Sequence, residues 1–316
     1  MNEKIKLGVS ACLLGHKVRF DGGHKRDRFI TDTLGRYVEY VPVCPEVEYG
    51  LGIPREALRL VGGPDAPRLV TSRTKRDHTA GMLRYARKRV IALRKEKLCG
   101  FIFKSDSPSS GMERVKVYSD KGMPLKKGVG IFARVFMDHF YLIPVEEEGR
   151  LHDAKLRENF VESIFTLKRW RELVEKRKRL GGLVDFHTTH KLLLLSHSPK
   201  HYRMMGKLVA EGKASTIKEL YARYETMLLE TLALKTTVKK NINVLQHMMG
   251  YFKKQLSGDE KQELLSVFQD YKNGDLPLIV PITLMNHYVR KYEEPYLSRQ
   301  VYLNPHPIEL HLRNHA

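Results

Sequence analysis

The periodicity of the chain changes once, near residue 148, and this constrains the fold more than any other feature. Up to that point short apolar runs alternate with helical spacing. Residues 5–10, 36–42, 100–104 and 141–145 read as strands. Residues 79–97 space Met82, Leu83, Ala86, Val90 and Leu93 as one face of a helix, and residues 130–136 read as another. Strands separated by helices predict a parallel sheet in a Rossmann-like α/β layer fold, with its ligand site in the loops beyond the carboxyl ends of the strands. The run Glu146-Glu147-Glu148-Gly149-Arg150 reads as a surface boundary. Beyond it nearly everything has helical spacing: residues 151–178, then, after Gly181-Gly182, 183–195, 199–210, 215–234, 237–256, 258–273 and 281–292. Ser198 before Pro199 is an N-cap followed by a proline at the first helical position. Residues 296–316 read as an irregular strap. The expected architecture is therefore an α/β domain over residues 1–150 followed by an all-α domain over 151–316.

Composition narrows the functional classes. A chain of 316 residues, 42% hydrophobic and 29% charged, is globular rather than disordered. Three cysteines cannot form a disulfide scaffold. The start of the chain has no signal-peptide pattern and no run of 18 apolar residues exists, so a cytoplasmic protein that does not enter a membrane is expected. The 56 Lys+Arg against 36 Asp+Glu leave +20. Residues 1–150 hold 29 and 18 of these (+11) and residues 151–316 hold 27 and 18 (+9). A charge shared between both halves favours a polyanionic partner, with a merely basic, soluble surface as the alternative. Arg84, Arg87, Lys88, Arg89, Arg94, Lys95 and Lys97 cluster on one expected helix. Lys168, Arg169, Arg171, Lys176, Arg177, Lys178 and Arg179 cluster on another.

Three loops carry the residues of chemistry. They are Ser10-Ala-Cys12-Leu-Leu-Gly15, Pro42-Val-Cys44-Pro45-Glu46 and Lys104-Ser105-Asp-Ser107-Pro108-Ser109-Ser110-Gly111. Each follows an expected strand, so the three can meet at one sheet edge. A cysteine at a strand end, near glycines and backbone N–H groups, is expected to have a lowered pKa and to suit a metal. Cys-Pro also occurs in iron–sulfur ligand loops. Spacing alone leaves a metal site and buried structural thiols both open. Cys99, before its strand rather than after it, reads as a core thiol, and Asp21 before Gly22-Gly23 as a turn former.

The segments SACLLG…VRFDGG, PVCPEVEYGLGIPRE, KRDHT and KSDSPSSGMERVKVY, in that order over residues 4–145, resemble the thiouracil desulfurase (TudS-like) family. Residues 185–210, DFHTTHKLLLLSHSPKHYRMMGKLVA, resemble the YbgA-type helical domain. Fusions of the two resemble bacterial desulfidases that convert 4-thiouridine in tRNA to uridine. The resemblance implies a [4Fe–4S] cluster on three cysteines with one iron open to the substrate sulfur. Cys12 and Cys44 match two of the ligands. The third family cysteine falls where this chain has Ser110, a natural or an introduced departure, and a serine oxygen holds such clusters poorly. The resemblance further implies Glu46 as general base toward water, and Ser105 and Ser107 as groups that orient the base. A loop salt bridge for Glu46 and turn capping for the serines are the alternatives. In the helical half, His187, His190, Lys191, Lys200, Tyr202 and Arg203 form a basic-aromatic group suited to phosphate contact and base stacking. A helical core with a basic rim is its alternative. The leading expectation is an iron–sulfur desulfidase of 4-thiouridine in tRNA, impaired by Ser110. A desulfurase of free thiouracil and a non-enzymatic RNA-binding or repair accessory protein are the other readings. The oligomeric state is open.

Overall fold

The computed structural model describes residues 4–119, 121–176 and 178–315, which excludes Arg177 of the second basic cluster. The chain divides between Asp153 and Ala154 into two compact units.

In the first unit, β1 (Ile5–Ser10), β2 (Val38–Val43), β5 (Gly100–Phe103) and β8 (Val145–Glu147) form a sheet in the order β2-β1-β5-β8. All its pairings are parallel, with Ile5 opposite Val38, Leu7 opposite Gly100 and Phe101 opposite Val145. Leu7, Val9, Ile102 and Phe103 are fully buried, as strands covered on both faces require. Helices α2 (Thr79–Leu93) and α3 (Ile131–His139) cover this sheet. Phe101, Phe103, Phe132 and Phe136 interlock between them, with the Phe101 and Phe103 rings stacked at 4.3 Å. Burying each such ring is worth about 2–3 kcal/mol.

A second sheet was not legible in the sequence. It runs β4-β3-β6-β7, from β3 (Leu58–Val61), β4 (Arg68–Thr71), β6 (Val115–Tyr118) and β7 (Pro124–Gly128). Its pairings are mixed, antiparallel for β3–β4 and β6–β7 and parallel for β3–β6. β7, Pro-Leu-Lys-Lys-Gly, is an exposed edge strand without an apolar face, so it gives no alternation signal.

The acidic run at 146–148 is not a surface boundary. Glu146 and Glu147 are buried in β8. The Arg150 guanidinium pairs with Glu146, and Glu147 accepts the Met112 backbone N–H at 2.6 Å. Burial raises the Glu147 pKa, against those backbone donors.

The second unit is helical: α4 (Ala154–Glu175), α5 (Leu180–His197), α6 (Pro199–Ala210), α7 (Ile217–Leu232), α8 (Val238–Met249), α9 (Gly258–Asn273) and α10 (Ile279–Lys291). Ser198 Oγ caps α6 as its sequence requires, and Thr216–Glu219 and Ser257–Glu260 are reciprocal capping boxes on α7 and α9. Short helical turns make up the strap after α10. The second basic cluster does not share one helix, since Lys176, Lys178 and Arg179 lie between α4 and α5. Among the described residues no helix is long and apolar enough to cross a membrane.

Candidate active site

The three loops meet at the carboxyl ends of β1, β2 and β5 around a cavity of about 390 Å³. After β1 the chain makes one helical turn, Ala11–Leu14, which carries Cys12, and Gly15 closes it in the left-handed conformation at φ 94°. After β2, Cys44 caps the short helix α1 (Pro45–Glu48), on which Glu46 sits. The Cys44 backbone N–H donates to the Glu48 carboxylate at 2.9 Å. After β5, the Lys104 N–H donates to Ser10 Oγ at 2.9 Å, tying the third loop to the end of β1. That loop then caps α3. The Ile131 N–H donates to the Pro108 carbonyl, and those of Phe132 and Ala133 to the Ser109 carbonyl. Gly130 allows this close approach, because a Cβ there would lie 2.6 Å from the Ser109 carbonyl carbon and 2.7 Å from the Ser110 nitrogen.

Cys12, Cys44, Glu46, Ser105, Ser107 and Ser110 all line the cavity. Cys12 and Ser110 are buried and Cys44 half-buried. The expected lowering of the thiol pKa values is reversed. Burial pushes the Cys12 thiol up to about 11, with the Lys104 ammonium pulling the other way and the Cys44 sulfur adding to the rise. Burial also raises Cys44, against the backbone N–H groups of Val47 and Glu46. Desolvation exceeds the help from the local dipoles. Cys99 lies buried before β5, at the opposite end of that strand, as read from the sequence.

Glu46 is paired. Arg55 Nε and Nη2 donate to its Oε2 at 2.9 and 2.6 Å, and Ser109 Oγ donates to its Oε1 at 2.8 Å. Arg55 is fixed in turn by the Val18 carbonyl at 2.9 Å and the Gly52 carbonyl at 3.2 Å. Ser107 Oγ lies 3.1 Å from Ser109 Oγ and accepts the Ser110 N–H at 3.1 Å. Ser107 thus both caps the turn and continues a chain of groups, Arg55–Glu46–Ser109–Ser107. On the other side Ser105 Oγ donates to Glu148 Oε1 at 2.7 Å, and the Lys104 ammonium pairs with the same carboxylate. Sequence reading did not assign roles to Arg55, Lys104, Ser109 or Glu148. Ser109 adjoins the departing position, Arg55 and Lys104 lie within the family-like segments, and Glu148 belongs to the run read as a boundary, but their partners are brought to them only by the fold.

Cys12 and Cys44 suit an iron–sulfur group: two soft donors line one cavity, close enough for each to feel the other's charge. At Ser110 the donor is a hydroxyl oxygen. Among the described residues, no three His, Cys, Asp or Glu side chains gather as a metal-holding set. The donors on hand are therefore two sulfurs and one oxygen.

The helical unit corrects two expected RNA contacts. His187 and His190 are buried. His187 Nδ1 lies 3.1 Å from the Tyr224 hydroxyl, and His190 Nδ1 donates to the Phe186 carbonyl at 2.8 Å. Burial lowers their pKa values to about 4 and about 3. They are neutral core groups, out of reach of a phosphate. Arg169 of the basic cluster also turns inward, to the Pro305 carbonyl. Lys200 and Arg203 are exposed, Lys191 is half-buried, and Tyr202 packs partly on the helical core.

Residues 7–148 match the family model of 2-thiouracil desulfurase, and residues 191–307 match that of a protein of unknown function, DUF1722. The chain is 31% identical over 152 residues to the uncharacterized protein YbgA of Escherichia coli K12, a match covering 48% of this chain and 90% of that protein. Among solved structures, the [4Fe–4S]-dependent thiouracil desulfidase TudS aligns with 48% of this chain and 95% of its own, at 31% identity and a TM-score of 0.40.

Proposed function

The chain belongs to the family of YbgA and carries a 2-thiouracil desulfurase domain ahead of its DUF1722 region; from that premise we propose that it removes sulfur from a thiolated uracil, 4-thiouridine in tRNA, to give uridine and hydrogen sulfide. The observation that carries this reading is the gathering of Cys12, Cys44 and Ser110 with Glu46 around one cavity. The reaction exchanges C=S for C=O with water as the co-reactant, and no net electrons move.

Cys12 and Cys44 would hold an iron–sulfur group, with Ser110 at its third position. When bound, such a group supplies a Lewis-acidic iron for the soft thiocarbonyl sulfur. The protein's own groups do the rest. Arg55 engages Oε2 of Glu46, leaving Oε1, which the Ser109 hydroxyl orients, to receive a proton from water. That proton passes on to the departing sulfur, and the proton left on the added hydroxyl follows as the carbonyl forms, so the sulfur leaves as hydrogen sulfide. The hydroxyls of Ser105 and Ser107 stand along the same cavity and orient the polar edge of the base. The target nucleotide must leave its stack to reach the cavity. The excess of Lys and Arg in both halves favours the tRNA form of the substrate over the free base.

Ser110 weakens the hold on the metal group in this reading. The test is Ser110→Cys, with both proteins reconstituted anaerobically with iron and sulfide. Iron per chain and the visible absorbance should rise in the variant, and with 4-thiouridine-containing tRNA sulfide should appear as the absorbance of the thiolated base falls. If the variant holds iron but releases no sulfide from tRNA or from free thiouracil, desulfidation is wrong.

A further inference from the structure

We propose that Phe20, with the Arg19 guanidinium beside it, is the stacking platform that takes one face of the nucleobase at the mouth of the cavity. The identity of the base rests on the desulfidation reading; the platform rests on the geometry of residues 18–23.

Phe20 is 40% exposed and lines the cavity, and it is the one aromatic side chain among the described residues that do so. A lone exposed phenylalanine is ordinarily unremarked. This one is held where it is. The Arg55 N–H donates to the Phe20 carbonyl at 2.8 Å. The Arg19 N–H donates to the Gly23 carbonyl at 3.2 Å, and the Gly22 N–H returns to the Arg19 carbonyl at 3.0 Å. Asp21 Oδ1 accepts the Gly23 N–H at 2.9 Å and stands 3.5 Å from Arg19 Nε. The Arg19 guanidinium carbon lies 5.5 Å from the centre of the Phe20 ring. The turn thus fixes a flat apolar ring and a flat cation together at the rim.

A uracil ring is polar at its edge and apolar on its faces. The Glu46, Ser107 and Ser109 groups are suited to the edge. A face needs a π surface or a guanidinium plane, and residues 19 and 20 supply both. Arg55 connects the two requirements, since its side chain holds Glu46 while its backbone N–H holds Phe20. The platform and the proposed base are therefore braced by one residue.

The chain has a single tryptophan, Trp170, fully buried in α4, so Phe20→Trp adds an exposed reporter against a constant background. The full-length variant, as purified and after iron–sulfide reconstitution, is titrated with 4-thiouridine 5′-monophosphate, uridine 5′-monophosphate and ribose 5-phosphate. Saturable quenching by both nucleotides and none by the sugar phosphate is expected. In calorimetry Phe20→Ala and Phe20→Leu should raise the Kd for the nucleotides about tenfold or more, while Phe20→Tyr stays near the parent value. In the Ser110→Cys background, sulfide release should show the same rise in KM with kcat little changed. Absence of saturable quenching, or Phe20→Leu binding as tightly as the parent, overturns the platform. Quenching that persists when the reconstituted Ser110→Cys protein also releases no sulfide supports the platform and sinks the desulfidation reading instead.

Discussion

At the scale of single residues, the Glu46–Arg55 pair governs the polar side of the cavity. The two side chains are only 14% and 7% exposed. A buried carboxylate stripped of its partner is costly, on the order of 3–5 kcal/mol, whereas losing both charges together costs far less. Arg55→Met should therefore lower unfolding stability strongly in urea titration. The double variant Arg55→Met/Glu46→Gln should recover part of that loss, a coupling of about 1–3 kcal/mol. Additive losses would mean that the pair is not energetically linked. This partnership was hidden from sequence reading because Arg55 reaches back nine residues across a loop, a distance no helical or strand period encodes. Cys12 and Cys44 were visible because each follows a strand end and falls in a segment that resembles the thiouracil desulfurase family.

At the scale of elements, the third loop and α3 depend on each other. The loop carbonyls of Pro108 and Ser109 accept the first N–H groups of α3, so the helix start also fixes Ser110. Gly130→Ala places a methyl against the Ser109–Ser110 backbone. It should lower the melting temperature by several degrees and reduce iron retention after reconstitution, the latter measured in the Ser110→Cys background. Unchanged iron retention would separate the loop from the helix. Elements with strong local signals were legible. Helix α6 follows Ser198-Pro199 over residues 199–210, and α9 fills the expected 258–273. The β4-β3-β6-β7 sheet was not, because its strands are four or five residues long and the pairing that joins its two hairpins, Leu60 with Val117, is distant along the chain. The acids of β8 misled for a related reason. Glu146 is paired by Arg150 and Glu147 by loop N–H groups, as Glu148 just beyond the strand is by Lys104, partners that only the fold brings to them.

At the scale of the whole molecule, charge and pH act on different parts. The helical unit buries neutral imidazoles at His187, His190 and His197 and half-buries that of His306, with pKa values lowered to about 4, 3, 4 and 4, desolvation being the main cause in each. An unfolded histidine takes its proton near pH 6.5. Below that the unfolded chain binds protons that the folded one refuses, so this contribution is complete above about pH 6.5 and is lost as pH falls toward 4. Glu158 and Glu162, raised by burial around Arg313, act in the opposite sense and temper the slope. Thermal unfolding should nevertheless shift to lower temperature between pH 7 and 5, by on the order of 1–2 kcal/mol per buried histidine before that offset. His190→Leu should flatten the dependence; an identical profile would exclude His190 from it. The net charge of +20 acts on the surface instead. The affinity for tRNA, measured by filter binding, should fall steeply and log-linearly as salt rises from 50 to 200 mM. Substitution at His187 or His190 should leave that slope unchanged, whereas Lys200→Gln/Arg203→Gln should reduce it if this part of the rim meets phosphate. Binding indifferent to salt would remove the phosphate contribution altogether.

The order β2-β1-β5-β8 places the first strand of the chain inside its sheet. From β1 the chain departs toward β2, and from β5 it departs toward β8, so the loops after these two neighbours part from each other and leave a notch between them. The hollow thus belongs to the route of the backbone, and the atoms lining it are tenants. Sulfur can be exchanged for oxygen at position 110 without filling or closing the space. One codon at position 110 thus decides between a hard oxygen and a soft sulfur donor, while the backbone that makes the notch stays as it is.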